Sequence, residues 1–382
     1  MKKLALIIFF DAFVLMLLGL IIVMSASSTY SEFKFDSLFH LFNSHFFKVV
    51  FGIIFLILFS FIPYEIYKEF SKPAIFVITF ILIVTLFVAP DIKGAGRWIH
   101  LGFFSFQPAD IAKLILIIHL AFLLEHKADV LQNFKNGFLY LFLWVIIISG
   151  LVFIQPNISN GLLLLFMSLI ILYVGGAKLK HIFAAALFCL VAGGIMAIVF
   201  AHSRSRILTF IHSSQQGEVP NIQVKQALLG LGSGHLFGVG LGQSLQSNLF
   251  LPEAYGDFIF AILGEELGYV GAVIVLLSYL VLFLAGILVA KKATDKFGQL
   301  LAFGITFSIV LYAFVNVAVA SGIVPTTGLP LPFISYGGTS LIFLCISVGI
   351  IINIALSNLQ KINADSAKQI VNNQTVNEVL ST

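Results

Sequence analysis

Ten apolar stretches, each close to the length of a membrane-spanning helix, account for most of the sequence. A helix needs about 20 predominantly apolar residues to cross the hydrocarbon core of a bilayer. A segment inside lipid must also satisfy its own backbone hydrogen bonds, which a helix does and an open sheet does not. We therefore predict an all-α polytopic membrane protein with about ten transmembrane helices. The predicted spans lie roughly at 4–24, 46–64, 73–89, 107–124, 137–154, 160–176, 181–201, 258–290, 300–323 and 338–357.

The composition narrows the classes of function. Of the 382 residues, 60% are hydrophobic and only 10% are charged, which is typical of a polytopic membrane protein. The net charge of +4 gives no reason to expect a nucleic-acid partner. The run at 4–24 is too long for the apolar core of a cleaved signal peptide, so we interpret it as the first span. Cys189 and Cys345 lie in apolar runs and predict no disulfide framework.

The positions of the basic residues predict an orientation. An even number of spans places both termini on one side, and a cytoplasmic N-terminus puts most of the 21 Lys and Arg residues in cytoplasmic segments. The longest connection, 202–257 between the seventh and eighth spans, then lies outside the cytoplasm. We interpret residues 1–357 as one transmembrane domain and the polar tail 358–382 as disordered.

The stretch 251–268, LPEAYGDFIFAILGEELG, brings acidic residues to a membrane boundary. Asp257 ends a polar loop just before the eighth apolar run. An Asp at this position is as well suited to capping a helix as to acting as a base, and both interpretations stay open. Glu265 and Glu266 follow inside the apolar run, where carboxylates are unfavourable and mark functional sites. A carboxylate at the lipid–water boundary suggests work on a lipid-linked substrate.

One segment at the start of the fourth span and another just before it carry further ionisable residues. In QPADIAK, 107–113, the three-residue spacing puts Asp110 and Lys113 on one helix face. They form either a structural ion pair or part of a polar cavity, and ionisable residues inside a membrane favour the cavity. Arg97 lies in GAGRWIHLG and is either an interfacial anchor or a ligand for phosphate oxygens.

Two segments rich in Gly or Pro predict irregular backbone. The run 230–242, GLGSGHLFGVGLG, lacks the strand and the Lys-Ser/Thr of a P-loop, so we interpret it as a compact re-entrant or surface loop. The segment 325–340, PTTGLPLPFISYGGTS, contains three prolines and cannot form a regular span. Such backbone at membrane depth must lie against protein or a watery cavity. We therefore expect Ser335 and Tyr336 to lie near the cavity of Asp257.

Four long motifs resemble the SEDS family of cell-wall proteins, in the family's order and over nearly all of the span region. They are GAGRWIHLGFFSFQPADIAK, QPNISNG, GSGHLFGVGLGQSLQSNLFLPEAYGDFIFAILGEELG and PTTGLPLPFISYGG. The wording of the third motif favours the division branch of the family over the elongation branch. The chain departs from the family pattern at Tyr255 and Gly256, which replace His-Thr before the acid, and at Asn157, which replaces an acid.

The resemblance implies a multi-pass glycosyltransferase of the bacterial inner membrane with both termini in the cytoplasm. It would polymerise lipid II into β-1,4-linked peptidoglycan strands outside the cytoplasm, with inversion at the donor carbon. Its implied partners are a class B penicillin-binding protein and other division or elongation proteins, and no nucleic acid. No metal ligand is assigned, because no His, Cys and carboxylate cluster has ligand spacing. A Mg²⁺ or Mn²⁺ ion at the pyrophosphate stays an open alternative.

The resemblance also assigns the site residues. The family's essential acid falls on Asp257, its Arg-Trp on Arg97 and Trp98, and its intramembrane Glu/Lys pair on Asp110 and Lys113. The candidate substrate-binding residues are Arg97, Gln107, Asp110, Lys113, Arg206, Glu253, Ser335 and Tyr336.

Two other classes of function fit the sequence in part. A lipid II flippase would also use many spans, a buried Asp and Lys and Pro-broken helices. A non-catalytic scaffold of the division machinery is the other alternative. A flippase needs polar groups along the whole membrane depth, whereas the polar residues here concentrate in the predicted outer half. This distribution favours the polymerase.

Overall fold

The computed structural model describes residues 1–89, 97–101, 104–127, 130–199, 204–205, 208–211, 213 and 221–359. Within this part, long helices account for the predicted spans, and the 202–257 connection contains a shorter α-helix and a π-helix, Gln246–Phe250. The helices are α1 (Lys2–Phe35), α2 (His40–Phe61), α3 (Ile66–Val88), α4 (Pro108–His126), α5 (Leu139–Ile154), α6 (Ile158–Val174), α7 (Leu179–Val199), α8 (Ile222–Ser233), α9 (Ile259–Lys292), α10 (Lys296–Ala320) and α11 (Ser340–Leu359).

This architecture confirms the predicted all-α polytopic membrane protein. Seven of the described helices are long and apolar enough to cross a membrane, and α6 and α7 are shorter apolar helices. The helix α4, which carries Asp110 and Lys113, occupies the position of the fourth predicted span. The exception to all-α structure is a small antiparallel hairpin of β1 (Ile99–Leu101) and β2 (Phe104–Phe106), which connects α3 to α4.

The first helix continues beyond its predicted span because its polar last turns find partners. The prediction ended near residue 24, whereas α1 ends at Phe35. Ser25 donates a hydrogen bond to Glu266, and Thr29 Oγ1 donates to Asn248 Oδ1 at 3.0 Å. Ser31 Oγ donates to the carbonyl of Ser37 at 2.7 Å. These contacts join the last turns of α1 to α9, to the segment that precedes Asp257 and to the connection after α1.

The helix of the eighth predicted span is broken. α9 is interrupted at Gly268, where φ is 69° and ψ is −170°. Only a residue without a Cβ adopts this backbone readily. A Cβ at Gly268 would also lie 2.3 Å from the amide nitrogen of Gly238. The break therefore requires glycine for both its conformation and its packing.

The Gly-rich run supplies the hydrogen bonds that α9 loses at this break. The amides of Val239 and Gly240 donate to the carbonyls of Glu265 and Glu266 at 3.0 and 3.1 Å. In the other direction, the amides of residues 269 and 270 donate to the carbonyls of residues 235 and 236 at 2.9 and 3.1 Å. The prediction of a compact loop at 230–242 is thus confirmed for residues 234–242, while residues 230–233 end α8.

Glu265 is the central acceptor of this loop. Its buried carboxylate accepts from the hydroxyls of Ser233 and Ser244 and from the amides of Leu245 and Gln246, the two amides at 3.2 and 3.3 Å. Because these donors lie on α8 and on the loop after it, Glu265 joins both to α9.

We expect Glu265→Gln to lower the free energy of unfolding by about 1–3 kcal/mol, because its new NH2 group would face the backbone amide of Leu245 or Gln246, which cannot accept a hydrogen bond. Thermal unfolding of the purified protein in detergent measures the effect. Glu69→Gln, at an exposed carboxylate on α3, is the matched control and should unfold as the unchanged protein does. Equal unfolding temperatures for the two variants would contradict the anchoring role of Glu265.

Candidate active site

A cavity of about 500 Å³ lies where several helices meet the irregular segments that precede Asp257 and follow α10. Its wall combines three basic side chains, three carboxylates, several neutral polar groups and aromatic rings. The charged lining residues are Lys48, Arg97, Asp110, Lys113, Glu253 and Asp257. Further lining residues are Trp98, Gln107, Asn157, Asn160, Tyr255, Tyr312, Gly328 and Tyr336.

Asp257 is held at the cavity by its backbone. The buried Asn316 of α10 donates from Nδ2 to the carbonyl of Asp257 at 2.8 Å and to that of Leu329 at 2.7 Å. A Cβ at Gly328 would lie 3.4 Å from Asp257 Oδ2, so the carboxylate lies close to this segment. The N-cap residue of α9 is Phe258, and Asp257 directly precedes it.

The segment before α11 also holds the turn that contains Asp257, through hydrogen bonds to the residues just before it. Ser335 Oγ donates to the carbonyl of Gly256 at 2.7 Å and accepts from the amide of Leu331 at 2.7 Å. The amide of Tyr336 donates to the carbonyl of Tyr255 at 2.9 Å. Ser335 is buried and does not line the cavity, so its place in the structure is behind Asp257, whereas Tyr336 forms part of the wall.

Lys113 faces the cavity over an aromatic ring. Its Nζ lies 4.1 Å from the centre of the Tyr312 ring, a cation–π contact. Asp110 also lines the cavity, but no direct ion pair joins it to Lys113 in the part of the chain that the structure describes. Of the two interpretations left open by the sequence, a structural ion pair or a polar cavity, this geometry agrees with the cavity, which both side chains line.

A chain of neutral polar groups continues from this lysine. The hydroxyl of Tyr312 donates to Asn160 Oδ1 at 2.9 Å, and Asn160 Nδ2 donates to Asn157 Oδ1 at 3.1 Å. The Nδ2 of Asn157 is buried without a protein partner. On the same side, Arg97 donates from Nη2 to the carbonyl of Pro156. These contacts bring the connection after α5 into the cavity wall.

Tyr255 belongs to a cluster of aromatic rings at the cavity wall. Tyr255 packs against Tyr30 and Tyr336, with ring centres 5.3 and 5.7 Å apart. Burial raises the pKa of Tyr255 well above its ordinary value, and the nearby carboxylate of Glu253 adds to this, so Tyr255 stays neutral. Lys48 Nζ lies 4.1 Å from the centre of the Tyr336 ring. The departure from the family pattern at Tyr255 thus supplies a neutral ring beside Asp257.

Comparison with known proteins decides the family. The FtsW/RodA/SpoVE model, described as that of a cell cycle protein, matches residues 5–360. The chain belongs to the FtsW/RodA/SpoVE family. It is 37% identical to a probable peptidoglycan glycosyltransferase FtsW from Geobacter sp. (strain M18), over 90% of this chain and 94% of that protein. It is 33% identical to stage V sporulation protein E of Bacillus subtilis (strain 168), over 89% of this chain and 94% of that one.

Solved structures share the fold of this FtsW/RodA/SpoVE protein. One chain of a peptidoglycan synthase complex superposes with a TM-score of 0.74 and 23% identity, covering 92% of this chain and 98% of that chain. The crystal structure of the rod shape determining protein RodA of Thermus thermophilus gives a TM-score of 0.69 and 24% identity, covering 92% and 96%. The predicted SEDS resemblance and the polytopic membrane fold are thereby confirmed.

The cavity brings most of the predicted site residues of this family member together. They are Asp257, Arg97, Gln107, Asp110, Lys113, Glu253 and Tyr336. Arg206 lies outside the described residues. Sequence reasoning did not assign Lys48, Asn157, Asn160 or Tyr312 to the site. An ionisable residue within α2 was the available signal for Lys48, but we counted it only as a marker of topology.

No metal centre is apparent in this FtsW/RodA/SpoVE fold as far as the structure describes it. The described residues contain no group of three or more His, Cys, Asp and Glu that could hold a metal ion. The carboxylates of the cavity come from separate segments, α4 and the 253–257 turn.

Proposed function

We propose that this chain is a peptidoglycan glycosyltransferase that polymerises lipid II at the outer face of the bacterial inner membrane, with Asp257 as the general base. The observation that carries the proposal is the cavity itself. In a membrane protein of this family, it places the carboxylate of Asp257 in the same wall as three basic side chains, Lys48, Arg97 and Lys113. The relatives named as probable peptidoglycan glycosyltransferases support the reaction class.

The residues of the cavity suit each part of this transfer. Asp257 accepts the proton of the acceptor sugar's 4-hydroxyl as that oxygen bonds to the anomeric carbon of the donor. The bond from this carbon to the pyrophosphate breaks, and the undecaprenyl pyrophosphate leaves with the electron pair. One direct displacement inverts the α-linkage to β-1,4, by the logic of inverting glycosidases. A positioned base of this kind typically contributes ~10²–10⁴-fold.

Basic side chains stabilise the leaving group. A pyrophosphate gathers negative charge as it departs, and cations in a partly dry cavity stabilise that charge more than water does. Lys113 lies over the ring of Tyr312 and has no direct ion pair with Asp110 among the described residues, so its ammonium remains available to an anion. No step of the proposed reaction uses a metal ion.

The orientation of the chain is part of this proposal. The Lys and Arg distribution supports cytoplasmic termini, with the cavity open to the outside. We expect a cysteine at the exposed Ser37, between α1 and α2, to react with an impermeant maleimide in spheroplasts. A cysteine at the exposed Gln132, between α4 and α5, should react only after permeabilisation. Both are placed in a chain with Cys189 and Cys345 replaced by Ala, and the reverse labelling pattern would contradict the orientation.

A class B penicillin-binding protein is the proposed partner, because one chain of a peptidoglycan synthase complex shares this fold. The test of the proposed function combines the purified chain, that partner and lipid II in detergent, followed by separation of the glycan chains. We expect strands of many disaccharides in the presence of this chain. Lipid II that stays unpolymerised, or that only crosses the bilayer of vesicles, would contradict the polymerase and favour a scaffold or a flippase.

A further inference from the structure

The segment that precedes the Asp257 turn exposes many large apolar side chains. In the loop of residues 236–250, here called the 236–250 loop, Phe237 is 80% exposed, Leu236 60%, Leu245 64% and Phe250 60%. Val239 and Leu241 are exposed as well. An exposed apolar surface of this extent marks a contact with a membrane or with another protein.

The charge pattern of the segment distinguishes contact with a membrane from contact with another protein. Residues 226–252 contain no Asp, Glu, Lys or Arg, although Lys225 and Glu253 flank the segment directly. Protein docking surfaces on water-exposed loops keep a polar, charged rim, whereas segments that enter lipid exclude charge. The absence of charge over this whole segment therefore favours lipid.

Many backbone amides of the loop have hydrogen-bond partners within the protein, as a segment inside lipid requires. Non-helical backbone at membrane depth requires hydrogen-bond partners within the protein. At least nine of the fifteen amides along the loop have one. The acceptors are carbonyl, carboxylate or hydroxyl oxygens of the protein. The donors are the amides of residues 238, 239, 240, 242, 243, 245, 246, 247 and 248. These backbone donors therefore have partners within the protein, while the large apolar side chains named above are exposed.

The loop is also continuous with surfaces of membrane-spanning helices. The carbonyl of Leu236 accepts from the amide of Val270 on α9, beside the exposed side chains of Tyr269 and Ile274. Asn248 is joined to Thr29 on α1. The outward side chains of the loop therefore extend the apolar faces that α9 presents to lipid.

We propose that the 236–250 loop is inserted in the outer leaflet of the bilayer, with its apolar side chains among the acyl chains. The loop leads to Asp257 through the short turn 251–256. Its insertion fixes the height of the Asp257 carboxylate relative to the lipid headgroups. The inference does not depend on the glycosyltransferase proposal, because it rests on exposure, charge and hydrogen bonding.

Nitroxide labels on single cysteines test the insertion. Phe237→Cys and Leu241→Cys are made in the full chain with Cys189 and Cys345 replaced by Ala, labelled and reconstituted in bilayer nanodiscs. Electron paramagnetic resonance then measures collisions of each label with oxygen, which concentrates in acyl chains, and with a neutral nickel chelate, which stays in water. We expect high oxygen and low nickel collision rates at both positions.

Two matched positions calibrate the measurement. Phe10→Cys lies on the exposed apolar face of α1, and Ser37→Cys lies in the exposed connection after α1. The loop labels should give the oxygen-to-nickel ratio of Phe10→Cys. A ratio equal to that of Ser37→Cys would place the loop in water, where only a protein partner could cover it, and would overturn the proposal. Monodisperse elution of each labelled variant shows that the chain has folded.

Discussion

Asp257→Asn is expected to give a folded, membrane-inserted protein whose glycan synthesis is reduced by at least ~10²-fold, because the amide cannot accept the proton of the acceptor hydroxyl. The substitution keeps the shape of the side chain. It also leaves the backbone carbonyl that accepts from Asn316 unchanged. Polymerisation of lipid II by the purified variant with its partner, together with its unfolding temperature, measures both halves of this expectation.

A matched carboxylate elsewhere controls for the loss of charge. Asp36 is exposed and ends α1 in a left-handed conformation with φ of 52°, which Asn also adopts readily. Asp36→Asn should therefore polymerise lipid II at the rate of the unchanged chain. If Asp257→Asn retained that rate as well, Asp257 would not be the base, and the proton would have to be accepted elsewhere in the cavity.

Lys113→Met is expected to abolish synthesis, and adding Asp110→Asn is expected not to restore it. Both side chains face the cavity, and Lys113 lies over the ring of Tyr312 without a direct ion pair to Asp110 in the described structure. A cation that holds the lipid pyrophosphate cannot be replaced by removing a neighbouring carboxylate. Lipid II polymerisation and thermal unfolding are measured for both single variants and the double variant.

Recovery of activity in the double variant would make Asp110 and Lys113 a structural pair. If the two groups only neutralise each other, each single variant leaves one stranded charge, which costs ~2.5–3.5 kcal/mol at the centre of a bilayer and less near its surface. The double variant would then recover both stability and activity, and Lys113 would leave the proposed site. Lys127→Met, at the opposite end of α4 from the cavity, is the matched lysine control and should leave synthesis unchanged.

The site residues that the sequence could predict are those whose charge alone marks them as unusual at a membrane boundary. Asp257, Arg97 and Lys113 stand out in the sequence because a charged group at a membrane boundary is unfavourable without a role. Asn157, Asn160 and Tyr312 gave no such signal. They join the cavity through a chain of hydrogen bonds between α10 and the connection after α5, and no local pattern in the sequence encodes that contact. The same holds for Asn316, whose two acceptors come from distant segments.

The sequence by itself determined the number and approximate limits of the membrane helices, because apolar runs of this length have no other stable state in lipid. It also determined that the Gly-rich and Pro-rich segments would be irregular. Only the tertiary structure decided where those segments go. The break at Gly268 is stable because Val239 and Gly240 supply its missing hydrogen bonds. Likewise, Ser335 lies behind Asp257 rather than in the cavity because its hydroxyl is used to hold the preceding turn.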